Sequence, residues 1–141
     1  MQKTWLKHYG PIVPQEIDFE SYKNVLQVLK ESVKKFKNRP AFSNMGRSIS
    51  YGELDHLSTR LASYFQNDLQ LQPGDRIAIQ MPNLLQFPVV LFAAQKAGLV
   101  VVNTNPLYTA REMKHQFSDS GCKAIVILAN FAASLSEVLS S

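Results

Sequence analysis

Arg76-Ile77-Ala78-Ile79-Gln80-Met81 alternates and then runs apolar, as a strand does. Helical spacing follows, with Asn83 as the expected cap, and continues to about Ala97, where Gly98 supplies a stop. Pro88 falls near the end of that helix's first turn, where its missing N–H bends the entry. Leu99-Val100-Val101-Val102 has no polar face, the pattern of a central strand buried on both sides. Thr109-Ala110-Arg111-Glu112 has capping-box spacing. Its helix turns Ala110, Met113 and Phe117 inward and stops at Gly121. Ala124 to Leu128 reads as a third buried strand, and Asn130 as the cap of a last helix carrying Phe131, Leu135, Val138 and Leu139. Strand and helix alternate three times. This predicts an α/β fold in three layers, with a mostly parallel sheet and right-handed βαβ crossovers.

Towards the N-terminus the pattern changes. Helical spacing over 22–36 puts Val25, Leu26, Leu29, Val33 and Phe36 on one stripe. Ala41 to Met45 and Ser48 to Ser50 read as a short hairpin turning at Gly46. Ser50-Tyr51-Gly52-Glu53 is a second capping box, and its helix is expected to bury Leu54, Leu57, Leu61 and Phe65 before the Pro73-Gly74-Asp75 turn. Residues 1–21 form an irregular arm broken by Gly10, Pro11 and Pro14. Residues 22–141 form an incomplete α/β unit. Three parallel strands are few for such a sheet, so the chain is expected to be a piece of a longer protein. Its open edge would favour self-association into a homo-oligomer.

Composition excludes several classes. Apolar residues make up 45% and charged residues 18%, a globular balance. The longest apolar run, Phe87 to Ala94, is far short of the ~18 residues of a membrane span. The single Cys122 forms no intrachain disulfide, which fits a cytoplasmic chain. The net charge of +4 is uneven: residues 1–47 carry nine Lys and Arg against four carboxylates, and residues 48–141 carry six against seven. Lys23, Lys30 and Lys34 are spaced for one helix face, read either as a solvated face or as a peripheral contact with anionic lipid. Nucleic acid is not the expected partner, because aromatics do not interleave with the basic positions.

No chemistry-bearing constellation stands out. The glycines at 10, 46, 52, 74, 98 and 121 build neither dinucleotide nor P-loop phosphate cradle. His115, Ser118 and Asp119 resemble a triad on paper but lie along one polar helix face, where convergence on a single atom is rare. His56 beside Asp55 reads as surface, and Cys122 as a small buried thiol, with Lys123 on the opposite face. Asn103-Thr104-Asn105-Pro106-Leu107-Tyr108 leaves two readings open. It follows the C-terminal end of a parallel strand, where ligands of open α/β sheets sit. It also has the residues of a turn leading into the Thr109 cap.

Ser50-Tyr51-Gly52-Glu53-Leu54 resembles the first core motif, Thr/Ser-Tyr-x-Glu-Leu, of the adenylate-forming enzymes. Gln95-Lys96-Ala97-Gly98 with Leu99 to Pro106 resembles the second. Pro73-Gly74-Asp75-Arg76, Met81-Pro82-Asn83 and Pro106-Leu107-Tyr108-Thr109-x-Arg111-Glu112 fit in order and spacing. Trp5-Leu6, Met81 to Phe87 and Asp119-Ser120-Gly121 are similar to bacterial long-chain fatty-acid–CoA ligases. The resemblance implies the N-terminal portion of such a ligase, a partial N-terminal subdomain of the adenylate-forming fold. That family activates a fatty acid with ATP and magnesium and passes it to coenzyme A. Its Pro-Lys-Gly phosphate loop, its Tyr-Gly-x-Thr-Glu segment, its ribose-binding Asp and its C-terminal Lys have no counterpart here. No catalytic, cofactor-binding or metal residue is therefore carried over, and this piece alone is expected to be inactive. Two alternatives remain: a stand-alone binding module derived from an adenylation fold, and a ligase for medium-chain or aryl acids.

Overall fold

The structure, a computed structural model, describes residues 3–140. Met1, Gln2 and Ser141 lie outside the described residues. The arm holds one 3-10 turn, Thr4–His8, and none of its described residues is buried. Helix α1, Val25–Phe36, starts at Asn24, whose Oδ1 accepts from the Gln27 N–H at 2.9 Å. The expected start at Tyr22 is corrected by that cap, because Asn24 has extended backbone angles. Lys23 therefore precedes the helix, and only Lys30 and Lys34 share its exposed face. The apolar stripe is shallow, with Leu29 buried and Val25 exposed.

Strands β1, Pro40–Asn44, and β2, Arg47–Ser50, pair antiparallel. Met45 and Gly46, both at positive φ, make the two-residue turn between them. Helix α2, Tyr51–Asn67, begins at the Ser50 capping box: Ser50 Oγ accepts from the Glu53 N–H at 3.2 Å, and Glu53 Oε2 accepts from the Ser50 N–H at 2.8 Å. The buried face of α2 is Leu54, Ser58, Ala62 and Phe65. This corrects the expected stripe, since Leu57 is exposed and Leu61 only half-buried. The physical reason is close helix packing. Ala62 joins Ala93, Ala94 and Ala97 in one core cluster, so small side chains fill the seam with the next helix, α3.

The sheet has the order β4-β3-β5, all parallel, with β3 at Arg76–Gln80, β4 at Val100–Asn103 and β5 at Ala124–Ile127. Ile77, Ala78, Ile79 and Gln80 are all buried. The expected central strand is thus displaced: β4 is at an edge and Val100 is 48% exposed, while β3 is central. β5 is also an edge strand and only half-buried. Apolar content alone does not set burial here, since the all-valine start of β4 is exposed or half-buried while β3 is buried up to Gln80; burial follows strand order, and strand order depends on the direction of the crossovers. The chain leaves β3 for β4 through α3, Gln86–Lys96, and returns past β3 to β5 through α4, Ala110–Ser120. With right-handed connections these helices lie on opposite faces, giving three layers. Ile77 and Ile79 pack in the cluster with α3, and Ala78 and Gln80 are buried on the other face.

Two caps fall elsewhere than expected. Asn83 does not cap α3, whose N-cap is Leu85; its carbonyl accepts from Asn44 Nδ2 at 2.9 Å. Pro88 sits in the first turn of α3, where no intrahelical donor is required. Asn130 lies inside a 3-10 turn, Ala129–Phe131, ahead of α5, Ala132–Leu139, and forms no side-chain cap. Gly98, at φ +77°, does more than stop α3. A Cβ there would come 3.1 Å from Pro73 Cβ, and Gly98 O accepts from the Gly74 N–H at 2.8 Å. The Pro73-Gly74 turn and the Ala97-Gly98 helix end therefore constrain each other.

Lys96 joins α3 to α2. Its ammonium lies 2.7 Å from Asp55 Oδ1, 2.9 Å from Asp55 O, 2.9 Å from Ser58 Oγ and 2.8 Å from Thr59 Oγ1. Asp55 is thus half-buried and paired, not the surface neighbour of His56 expected from sequence. Lys96→Met keeps the stem and removes the charge. Because the side chain is only 18% exposed, we expect a loss of about 1–2 kcal/mol in urea unfolding.

The capping-box carboxyls, Glu53 and Glu112, are both held below the ordinary glutamate range, chiefly by the backbone N–H of Ser50 and of Thr109 and then by their hydroxyls. A lowered folded-state pKa stabilises above the unfolded value, and that contribution fades as pH falls through the folded one. Glu53→Gln with Glu112→Gln should therefore lower Tm at pH 7 and flatten its decline from pH 5 to pH 3. Parallel Tm-against-pH curves for the variant and the parent sequence would contradict this.

Candidate functional site

The strand order reverses at β3, which puts the topological switch point between the C-terminal ends of β3 and β5; ligands of open α/β sheets usually sit at that carboxyl edge. Asn103 to Tyr108 crosses that edge. Thr104 is buried and its N–H donates to Ile79 O at 3.0 Å, extending the ladder past β4. Asn105 Oδ1 accepts from the Leu107 N–H at 3.0 Å, and Asn105 O accepts from the Tyr108 N–H at 3.1 Å. Thr109 Oγ1 then accepts from the Glu112 N–H at 3.4 Å, with Glu112 Oε2 accepting from the Thr109 N–H at 2.8 Å. In geometry the stretch is a turn feeding a cap.

Two glutamines that the sequence reading passed over hold this turn. Gln80 Nε2 donates to Asn105 O at 3.2 Å, and Gln116 Nε2 donates to Asn103 O at 3.2 Å. The Oε1 atoms of both are buried with no hydrogen-bond partner among the described residues. The acceptors fix the amide orientation, because a flip would set oxygen against oxygen. A polar residue ending an otherwise buried strand, as Gln80 does, was the available signal. Its shape and burial hold the loop 103–108 against the sheet.

Beside the loop, a polar cavity of about 830 Å³ is lined by Tyr108, Arg111, Glu112, His115, Gln116 and Asp119, among others. His115 and Asp119 therefore share a wall, while Ser118 is exposed and not part of the lining. All three lie on α4, and nothing positions a nucleophile against a base. His56 is exposed on α2. Cys122, half-buried, has its Sγ 3.0 Å from Ser120 Oγ, and the neighbouring Lys123 ammonium is paired with Asp75 Oδ1 at 2.6 Å. That lysine and the Gln72 N–H hold the Asp75 carboxyl below the ordinary aspartate range. Among the described residues no group of three His, Cys, Asp or Glu side chains could hold a metal ion.

The sequence pattern of the AMP-binding enzymes, described as "AMP-binding enzyme", matches residues 29–140. The chain belongs to the AMP-binding enzyme family. It is 48% identical over 139 residues to a long-chain-fatty-acid–CoA ligase of Yersinia pestis, covering 99% of this chain and 25% of that protein. The chain thus spans about a quarter of the length of the curated relatives it matches. Among solved structures, it is similar to a fatty acyl CoA synthetase of Mycobacterium tuberculosis, with TM-score 0.74 and 26% identity over 80% of this chain and 23% of that one. A benzoate CoA ligase of Burkholderia xenovorans gives TM-score 0.76 and 25% identity over 81% and 23%.

The residues present do not fit the family's nucleotide as a magnesium-bound triphosphate. A phosphate cradle needs successive N–H groups freed by glycine. Here each positive-φ glycine already serves a turn or helix end: Gly46 in the hairpin, Gly74 before β3, Gly98 after α3 and Gly121 after α4.

Proposed function

We propose that these residues form the first α/β portion of a long-chain-fatty-acid–CoA ligase, which activates a fatty acid with ATP and magnesium to the acyl-adenylate and passes it to coenzyme A. The observation that carries this reading is the 48% identity across 139 residues to the Yersinia pestis ligase. Residues 22–141 belong to the large N-terminal domain of that enzyme, and residues 1–21 are its arm. The chain supplies scaffold and no catalytic, cofactor-binding or metal residue. Glu53 and Glu112 cap helices, Gly98 stops one, and β3 provides the buried strand.

The enzyme works in the cytoplasm, with peripheral contact at the inner face of the membrane. The exposed Lys30 and Lys34 of α1 and the exposed Trp5, Ile17 and Phe19 of the arm support that contact. No helix among the described residues is long and apolar enough to cross a membrane. The unpaired outer edges of β4 and β5 favour self-association of the isolated piece.

Thioester formation by the full-length protein tests the substrate. We expect kcat/KM for palmitate to exceed that for benzoate by at least about tenfold, since a pocket built for a long chain gains from each methylene. The reverse order would favour the aryl-acid reading, which the likeness to the benzoate ligase supports. No turnover with either acid would favour a binding module.

A further inference from the structure

A second cavity, of about 810 Å³, lies between the β1–β2 hairpin, α2 and the start of α3. Its floor is aliphatic, with Leu57, Leu61, Leu85 and Val89. The helix seam accounts for it. Because Ser58 and Ala62 turn into the core, Leu57 and Leu61 are left beside the seam, and Leu57 is 43% exposed. The rim is cationic, with Lys37 after α1 and Arg47 at the start of β2. Lys37 is held at the start of α2: its carbonyl accepts from the Gly52 N–H at 2.8 Å, and its stem lies where a Cβ on Gly52 would come within 3.0 Å. Among the described residues neither cation forms an ion pair. Glu53, the one carboxylate of the lining, is engaged with the Ser50 N–H and hydroxyl.

We propose that this groove binds a free fatty carboxylate, with its head at Lys37 and Arg47 and its chain along the leucines and Val89. Charge and surface choose the occupant together. A neutral lipid leaves the two cations unmatched, and an acidic peptide matches them without covering the aliphatic floor. The volume lies within the roughly 300–1,000 Å³ of small-molecule pockets. The choice of a fatty carboxylate over other anionic amphiphiles rests on the ligase reading.

The test is titration calorimetry of the chain with sodium laurate below its micelle concentration, beside dodecyltrimethylammonium, which has the same tail and the opposite charge. Laurate is expected to bind, and the ammonium to bind at least tenfold more weakly. Lys37→Glu with Arg47→Glu should weaken laurate at least tenfold and Leu57→Asn several-fold, while Arg60→Glu on the exposed face of α2 leaves it unchanged. These positions are on the surface, so circular dichroism should report the same fold for every variant. Equal binding of the two amphiphiles, or undiminished laurate binding by the double variant, overturns the proposal and marks the groove as a seat for another stretch of protein. No nucleotide is present in the titration. A silent titration therefore leaves the ligase reading standing, and a ligase assay that fails leaves a positive titration standing.

Discussion

Ile79→Asp should abolish the cooperative unfolding transition of this chain at 25 °C. Ile79 is 1% exposed and lies on the central strand, bonded on one side to β4 and on the other to β5. A carboxylate there has no cation within its cluster, which is made of Ala62, Phe65, Ile77, Val90 and their apolar neighbours. Ionised, it is stranded in a low-dielectric core. Protonated, it still buries a hydroxyl and a carbonyl without partners, and the isoleucine packing is lost either way. Each part costs several kcal/mol, against a total stability of about 5–15 kcal/mol for a domain. Val100→Asp is the contrasting variant. At an edge and 48% exposed, it should cost less than about 1 kcal/mol. Urea unfolding of the two proteins measures both. Had Leu99 to Val102 been the central strand, the order of damage would be reversed.

The contrast shows where the sequence was legible. Period and caps placed most elements within a few residues: Ser50 and Thr109 announced α2 and α4, Gly121 ended α4, and the apolar runs marked three strands. Strand order was not legible, because it depends on which way each crossover turns. A run such as Val100-Val101-Val102 looks the same at the edge as at the centre. The α2 stripe failed for a related reason. Leucines were read as core, yet the seam with α3 selects small residues, and Ser58 and Ala62 took the buried row. Asn83 and Asn130 had the composition of caps but not the backbone, since Leu85 and Phe131 occupy the cap positions.

The candidate site was legible in place more than in content. The loop 103–108 lies at the sheet's C-terminal edge as its order after β4 implied, and its asparagines shape a turn. Gln80 and Gln116 act from 23 or more and 8 or more residues away, so no local spacing could connect them to it. His115, Ser118 and Asp119 lie on one exposed helix face, and Ser118 is outside the cavity that the other two line.

Pyrophosphate release from ATP, with magnesium, palmitate and coenzyme A, separates scaffold from chemistry most directly. Adenylation requires donors placed around the α-phosphate, a cation on the departing pyrophosphate and exclusion of water. Enzymes reach rate accelerations of ~10⁶ and more through such groups, so a chain that supplies scaffold alone, as proposed, would give only background. Folding is not the obstacle, since residues from Leu29 to Met113 supply a buried core. Palmitate-dependent release is expected of the full-length protein, and from the 141-residue chain release no greater than that of a heat-denatured control. Palmitate-dependent release by the purified chain itself, surviving a further purification step, would contradict this.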